Sequence, residues 1–254
     1  MLIAERRQRI LDHVNARGYA SFRDLATELG ASESTVRRDL RSLIEEGRLI
    51  ATRGGVSQPG GAGPALPSRQ DPHAAEREAI ATQAASLVEP GTAILLGPGR
   101  TTAVLARKLV ALPALTVVTN SVLVVAALAE APQVELVVVG GTLRRSIQAL
   151  VGPITEQSLV GLRGAQVFLS GDGVTAERGL TTPNVFAAAT DQAFAAAGRE
   201  VVVLADHSKI GNDTMCQTVP ADRMNVLVTG PAAEPAVVGR LAQIGVDVVI
   251  VDRF

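Results

Sequence analysis

Ser32, Ser34, Thr35, Arg37, Arg38 and Arg41 place three hydroxyls and three guanidinium groups within ten residues. Arginine can bridge O6 and N7 of a guanine or grip a phosphate, so this segment carries the donors that a DNA major groove accepts. At about 100° per residue, Ser34, Arg38 and Arg41 fall opposite an apolar stripe of Val36, Leu40, Leu43 and Ile44, with Thr35 and Arg37 flanking it. Glu45 shares the outer face and would repel phosphates, so groove contact is expected to end before it. A merely solvated helix face is the plain alternative, and the neighbouring turn, cap and wing weigh against it.

A second set of chemically equipped residues lies further on. Gly97-Pro98-Gly99-Arg100-Thr101-Thr102, Thr119-Asn120-Ser121, Gly140-Gly141 and Gly171-Asp172-Gly173 each follow a short apolar run. Another such run ends in Asp206-His207-Ser208-Lys209, and Lys209 is one of only two lysines, the other being Lys108. In open α/β sheets ligands sit beyond the carboxyl ends of the strands, where helix N-termini favour anions. Gly97, Gly99, Arg100, Thr101, Thr102, Thr119, Asn120, Ser121, Gly140, Gly141, Asp172, Gly173, Asp206 and Lys209 are therefore expected to line one phosphate- or sugar-sized pocket. Glycine and threonine are also ordinary turn and cap residues at such places, so the case rests on four loops acting together. The Gly97–Gly99 loop matches neither a Walker A sequence nor a full dinucleotide fingerprint, and no nucleotide follows from it.

The elements that must hold these groups can be read from periodicity. Helical faces run through Ile10, Leu11 and Val14, then Phe22, Leu25, Ala26 and Leu29, then Val36 to Ile44. Gly18 is placed to end the first helix, Ser21 to cap the second and Gly30 to stop it; Ser32 is placed to cap the third, which Gly47 closes. Helix, short turn and capped helix make a helix-turn-helix, and Arg48 to Val56 reads as two strands of a wing in which Arg53 would meet phosphate. Residues 57–72, with seven Pro or Gly among sixteen, read as a linker between a DNA-binding module (1–56) and a second domain (73–254). In that domain apolar runs at 93–96, 116–118, 134–139, 165–169, 201–204, 225–228 and 246–251 alternate with helical stretches at 74–88, 101–110, 122–129, 155–160, 187–197 and 235–244. Such alternation predicts an α/β domain with a mostly parallel sheet flanked by helices.

Composition narrows the classes further. Residues 1–56 carry ten Arg against eight acids, net +2, and the remainder fourteen bases against seventeen acids, net −3. A basic end on an acidic chain suits a nucleic-acid module joined to something else. One such module is too weakly charged for single-site specificity, so a homo-oligomer (dimer or tetramer) reading repeated or palindromic half-sites is expected, assembled through the second domain. The one cysteine, Cys216, excludes an internal disulfide, no zinc spacing surrounds it, and His13, His73 and His207 are scattered. No cofactor and no metal are expected. No apolar run reaches the length of a membrane span and no signal peptide precedes Arg6, so a soluble, cytoplasmic protein without membrane partners is expected.

Glu5-Arg6-Arg7-Gln8-Arg9-Ile10-Leu11, Asp24-Leu25-Ala26, Ser32-Glu33-Ser34-Thr35-Val36-Arg37-Arg38-Asp39-Leu40 and Gly47-Arg48-Leu49 through Arg53-Gly54-Gly55 closely resemble the DeoR family of bacterial repressors. Thr119-Asn120-Ser121, Gly140 to Arg144, Gly171 to Val174, Gly179 to Asn184 and Asp206 to Lys209 extend the resemblance to that family's effector domain. The resemblance implies a winged helix-turn-helix whose third helix enters an operator. It also implies a sensor similar in fold to ribose-phosphate isomerases, glucosamine-phosphate deaminases and CoA transferases, answering to phosphorylated sugars or related metabolites. A repressor of a sugar or related carbon-source operon is the function implied. Two departures from the family pattern stand out: Gly97 where its phosphate loop usually begins with Asp, and Ala187 and Ala189 where acidic residues often stand. A sugar-phosphate isomerase-like enzyme is the rival, with Asp172, Glu177 and Asp206 as available acids, yet no complete catalytic constellation surrounds them. A DNA binder with a degenerate sensor is a third reading.

Overall fold

A computed structural model describes residues 3–17, 19–46, 48–52, 55–57 and 72–252. The chain divides into two compact units, Met1–Pro72 and His73–Phe254. The first contains α1 (Ile3–Arg17), β1 (Tyr19–Ser21), α2 (Phe22–Leu29), α3 (Glu33–Glu45), β2 (Ile50–Thr52) and β3 (Gly55–Ser57). Ser21 accepts the Asp24 amide at 3.0 Å to start α2, and Gly30 ends it in the left-handed conformation at φ +58. Ser32 accepts the Thr35 amide at 3.3 Å to start α3. Ile10, Val14, Leu25, Val36, Leu40, Leu43, Leu49 and Val56 pack into one core, so the three helices and the wing share a single apolar centre. The wing has one strand more than its sequence suggests: β1 pairs antiparallel with β3, which also pairs with β2. Gly18, Gly47, Arg53 and residues 58–71, which cover most of the expected linker, lie outside the described residues.

The second unit runs α4 (Ala74–Ala85), β4 (Ala93–Leu96), α5 (Arg100–Leu109), β5 (Leu115–Thr119), α6 (Val122–Leu128) and β6 (Val134–Val138). A hairpin, β7 (Thr142–Arg144) and β8 (Ala149–Val151), leads to α7 (Pro153–Leu159) and β9 (Gly164–Leu169). Then come β10 (Gly173–Thr175), β11 (Gly179–Thr182), α8 (Val185–Ala197), β12 (Gly198–Ala205), β13 (Cys216–Val219), β14 (Val226–Thr229), α9 (Pro235–Gln243) and β15 (Asp247–Ile250). Seven strands form one parallel sheet in the order β15-β14-β12-β9-β4-β5-β6, while β10, β11 and β13 make a small antiparallel sheet.

Strand residues alternate between two cores. Ile94, Leu96, Val117, Phe168, Val202 and Leu204 face Ile80, Leu105 and Val124 of α4, α5 and α6. Leu95, Val167, Leu169, Val201 and Val203 face Phe194 of α8 and Val237 and Leu241 of α9. Burial on both faces is what made these strands read as continuous apolar runs. The chain winds outward from β4 to β5 and β6, then crosses back to β9 and winds the other way. The carboxyl ends of β4 and β9 are therefore the topological switch point, where such sheets open a crevice.

Candidate functional site

In the first unit, Ser34, Arg38 and Arg41 are exposed on the face of α3 opposite buried Val36, Leu40 and Leu43. Arg38 and Arg41 form no ion pair or hydrogen bond with another described residue. Arg37 is exposed but steered: its guanidinium lies 4.5 Å from the centre of the Phe22 ring and 3.5 Å from Glu33 one turn back. The Ser32 hydroxyl sits 2.9 Å from both the Ser34 and Thr35 hydroxyls, gathering three of the expected contact residues at the N-terminus of α3. Sequence reasoning overlooked the role of Asp39. It is 3% exposed and takes the side chain of Arg6 and, at 3.5 Å, that of Arg7. This pairing ties α3 to α1 and so sets the angle at which the arginine face is presented. Its signal was an acid one residue from the buried Leu40, opposite a run of arginines on the first helix.

In the second unit several of the expected site residues lie at strand ends near the switch point. The Gly97 amide donates to the Phe168 carbonyl at 3.0 Å, which seats the β4 loop against the end of β9. Gly99 begins α5 without a side-chain cap, so no side chain occupies the first-turn amides that follow it. The Thr119 hydroxyl donates to the Leu96 carbonyl at 2.7 Å, and Ser121 caps α6. Thr101, Thr102, Thr119, Asn120 and Ser121 are buried, and the Thr102 hydroxyl is turned back to the Gly99 carbonyl at 3.0 Å. The Thr102, Thr119 and Ser121 hydroxyls are thus engaged within the protein rather than open. Asn120 donates to the Leu150 carbonyl at 2.8 Å, and its Oδ1 is buried without a partner among the described residues.

Asp172 accepts from Thr182 at 3.1 Å and stands 4.0 Å from the Lys209 ammonium. Gly140 and Gly141 do not join this group as directly. They end β6, the outermost strand, and the Thr155 hydroxyl holds the Gly140 carbonyl at 2.6 Å.

Asp206, expected to line the pocket, is buried and already paired. It is 4% exposed, one oxygen takes Arg77 at 2.9 Å, and the other takes the amide and hydroxyl of Ser208. Burial is the largest influence on its carboxyl and pushes upward. The Ser208 bond and the charges of His73, Arg77 and Lys209 outweigh it and hold the group below its usual value. Arg77, also missed from sequence, is lowered chiefly by burial and then by nearby Arg100. Its signal was its position on the same helical stripe as Ile80, Ala81 and Ala84. Asp191 on α8 is raised to about 8 by complete burial and by the charge of Asp172, so its carboxyl is mostly protonated at neutral pH. His73 and His207, far apart in sequence, come together with Glu76: their ring centres are 5.0 Å apart. Of the three candidate acids, Glu177 is paired with Arg240 at 3.3 Å and Asp206 with Arg77, while Asp172 stays half-exposed beside Lys209.

Among the described residues no helix is long and apolar enough to cross a membrane. Residues 6–59 match the DeoR-like helix-turn-helix domain and residues 72–231 the DeoR C-terminal sensor domain. The HTH-type transcriptional regulator YgbI of Escherichia coli K12, itself uncharacterized, is 32% identical over 90% of the chain and 90% of its own length. The HTH-type transcriptional regulator UlaR of Escherichia coli O1:K1 is 29% identical over 98% of the chain and 99% of its own. Among solved structures, ribose 5-phosphate isomerase A of Methanocaldococcus jannaschii aligns over 52% of each chain with a TM-score of 0.39 and 21% identity.

Proposed function

Because the chain belongs to the DeoR family of helix-turn-helix transcriptional regulators, we propose that it represses a sugar or related carbon-source operon and leaves its operator when a phosphorylated sugar binds the sheet-end crevice. In this reading residues 1–56 bind DNA, 57–72 link, and 73–254 sense the effector and assemble the homo-oligomer. Ser32, Ser34, Thr35, Arg37, Arg38 and Arg41 meet base edges and phosphates, and Arg53 meets phosphate.

The observation that carries the effector reading is the open N-terminus of α5 at the switch point, together with Arg100 and Lys209 around the same strand ends. Unsatisfied amides, a helix dipole and two cations suit a phosphate, and the orphaned Asn120 oxygen suits a hydroxyl donor of the ligand. Asp206 serves this site through Arg77, by holding that guanidinium in place. Release of DNA requires only that the ligand prefer the arrangement that binds operator poorly. The test is titration of the operator complex with a panel of sugar phosphates, alongside thermal shift. Release and stabilisation by the same compound support the reading. Operator binding and melting temperature that respond to no phosphorylated sugar overturn its effector half, and leave the DNA-binding half to be judged by Arg38→Ala.

A further inference from the structure

Glu76 lies on the first turn of α4 and is 1% exposed. Its Oε1 accepts the backbone amide of His207 at 2.7 Å. The carboxylate fits against Gly230, where a Cβ would meet that same oxygen, so the side chain is held from two directions. Its other oxygen, Oε2, is approached by two imidazoles: His207 Nδ1 at 2.7 Å and His73 Nδ1 at 3.7 Å. The rings meet edge to face at 77°, and one ligand-type atom from each of the three residues lies within 4.8 Å of the others. A hydrogen bond accounts for the shorter approach. The longer one is an ion-pair distance one helical turn apart rather than a hydrogen bond, and a cation shared by all three groups would draw the three ligand atoms together.

We propose that His73, Glu76 and His207 form a binding site for one divalent transition-metal ion of the zinc type. Two nitrogens and a carboxylate oxygen suit Zn²⁺, Co²⁺ or Ni²⁺, whereas Mg²⁺ and Ca²⁺ favour oxygen alone. Metal–ligand bonds of about 2.0–2.2 Å in a tetrahedron put neighbouring ligand atoms about 3.3 Å apart, between the two distances seen here. The His207 amide bound to Oε1 orients the carboxylate as an outer-shell donor does in metal sites. His73 and His207 are both partly exposed, which leaves a fourth position to water. The site would clip the first residues of the sensor unit, immediately after Pro72, to the turn that carries Asp206 and Lys209. The site stands whether or not the crevice binds a sugar phosphate.

The test uses the full-length chain, stripped with a chelator and titrated with zinc chloride alone by calorimetry near neutral pH, with Co²⁺ absorption as a spectroscopic reporter. One equivalent per chain is expected, with proton release, a rise in melting temperature and Co²⁺ bands of a nitrogen-ligated, low-coordinate ion. His73 caps no helix with its side chain, so His73→Ala should keep the fold while weakening zinc roughly tenfold or more and erasing the Co²⁺ bands. His207→Ala should do the same, and His13→Ala and Cys216→Ser should bind as the unmodified chain does. Absence of saturable binding overturns the site, as does undiminished binding by folded His73→Ala, which would place the ion elsewhere.

Discussion

On α3, Arg38 and Arg41 stand exposed with no partner among the described residues, whereas at the end of the parallel sheet Arg77 is 3% exposed and locked to Asp206. Under the proposed function the contrast follows from what each surface would meet. A DNA duplex brings its own extended array of charge, so the cations that read it can wait in water at little cost. A small anion would have to be taken out of water, and groups that received it would be desolvated in advance and balanced by internal partners. Both units nevertheless use a buried acid to aim an arginine: Asp39 receives Arg6 and Arg7, and Asp206 receives Arg77.

The strongest way to break this comparison is to remove the acid from the DNA-binding unit. Asp39→Ala should destabilise that unit by about 3 kcal/mol, because Arg6 loses its buried partner and Arg7 keeps only the exposed Glu46. A lowered first melting transition, with loss of operator binding at temperatures where the unmodified unit is folded, is the expected result. A melt unchanged by the substitution would show that Asp39 does not join α3 to α1. Next in size is Arg38→Ala, which should weaken operator binding by roughly 1–3 kcal/mol with no change in melting temperature. Equal affinity in a gel-shift titration would mean that another face of α3 meets the DNA.

Lys209→Ala addresses the other unit, and should raise the sugar-phosphate concentration needed for operator release about tenfold, the value of one charged hydrogen bond. Operator affinity without effector should stay as it was; unchanged sensitivity to effector would remove Lys209 from the site. The smallest effect concerns Asp191. Its carboxyl is raised in the folded chain, so the folded state holds a proton that the unfolded state releases. The stability it lends is therefore present below about pH 4 and fades as pH rises towards 8. Asp191→Asn should melt a few degrees higher than the parent at about pH 8 and no higher near pH 4. A gap that does not depend on pH would mean that Asp191 is ionised in the fold.

Much of the fold was legible because burial wrote it into local pattern. All seven strands of the parallel sheet coincide with apolar runs, and β4 has the expected ends at Ala93 and Leu96. Ser21, Gly30 and Ser32 act at their helix ends as their types require. The strands that escaped notice, β1, β7, β8, β10, β11 and β13, are three or four residues long, too short to show a period of their own. Gly179–Thr182 is buried at every position because it lies between β10 and β13, the latter more than thirty residues on. No local period announces a strand whose partner is remote.

The candidate sites divide in the same way. Exposure of Ser34, Arg38 and Arg41 follows from helical angle alone, because side-chain direction on a helix depends only on spacing. The loops at Gly97–Thr102 and Thr119–Ser121 could be placed at strand ends from sequence, since a strand followed by a helix fixes where its loop falls. Sequence could not say that Asp206 would be spent on Arg77, that Asp191 would lie dry beside Asp172, or that His73 and His207 would share Glu76. Each of those facts joins residues separated by nineteen to more than a hundred positions, and only the order of strands in the sheet brings their ends together. Spacing along the chain determined which groups face outward; the crossing from β4 back to β9 decided which groups face each other.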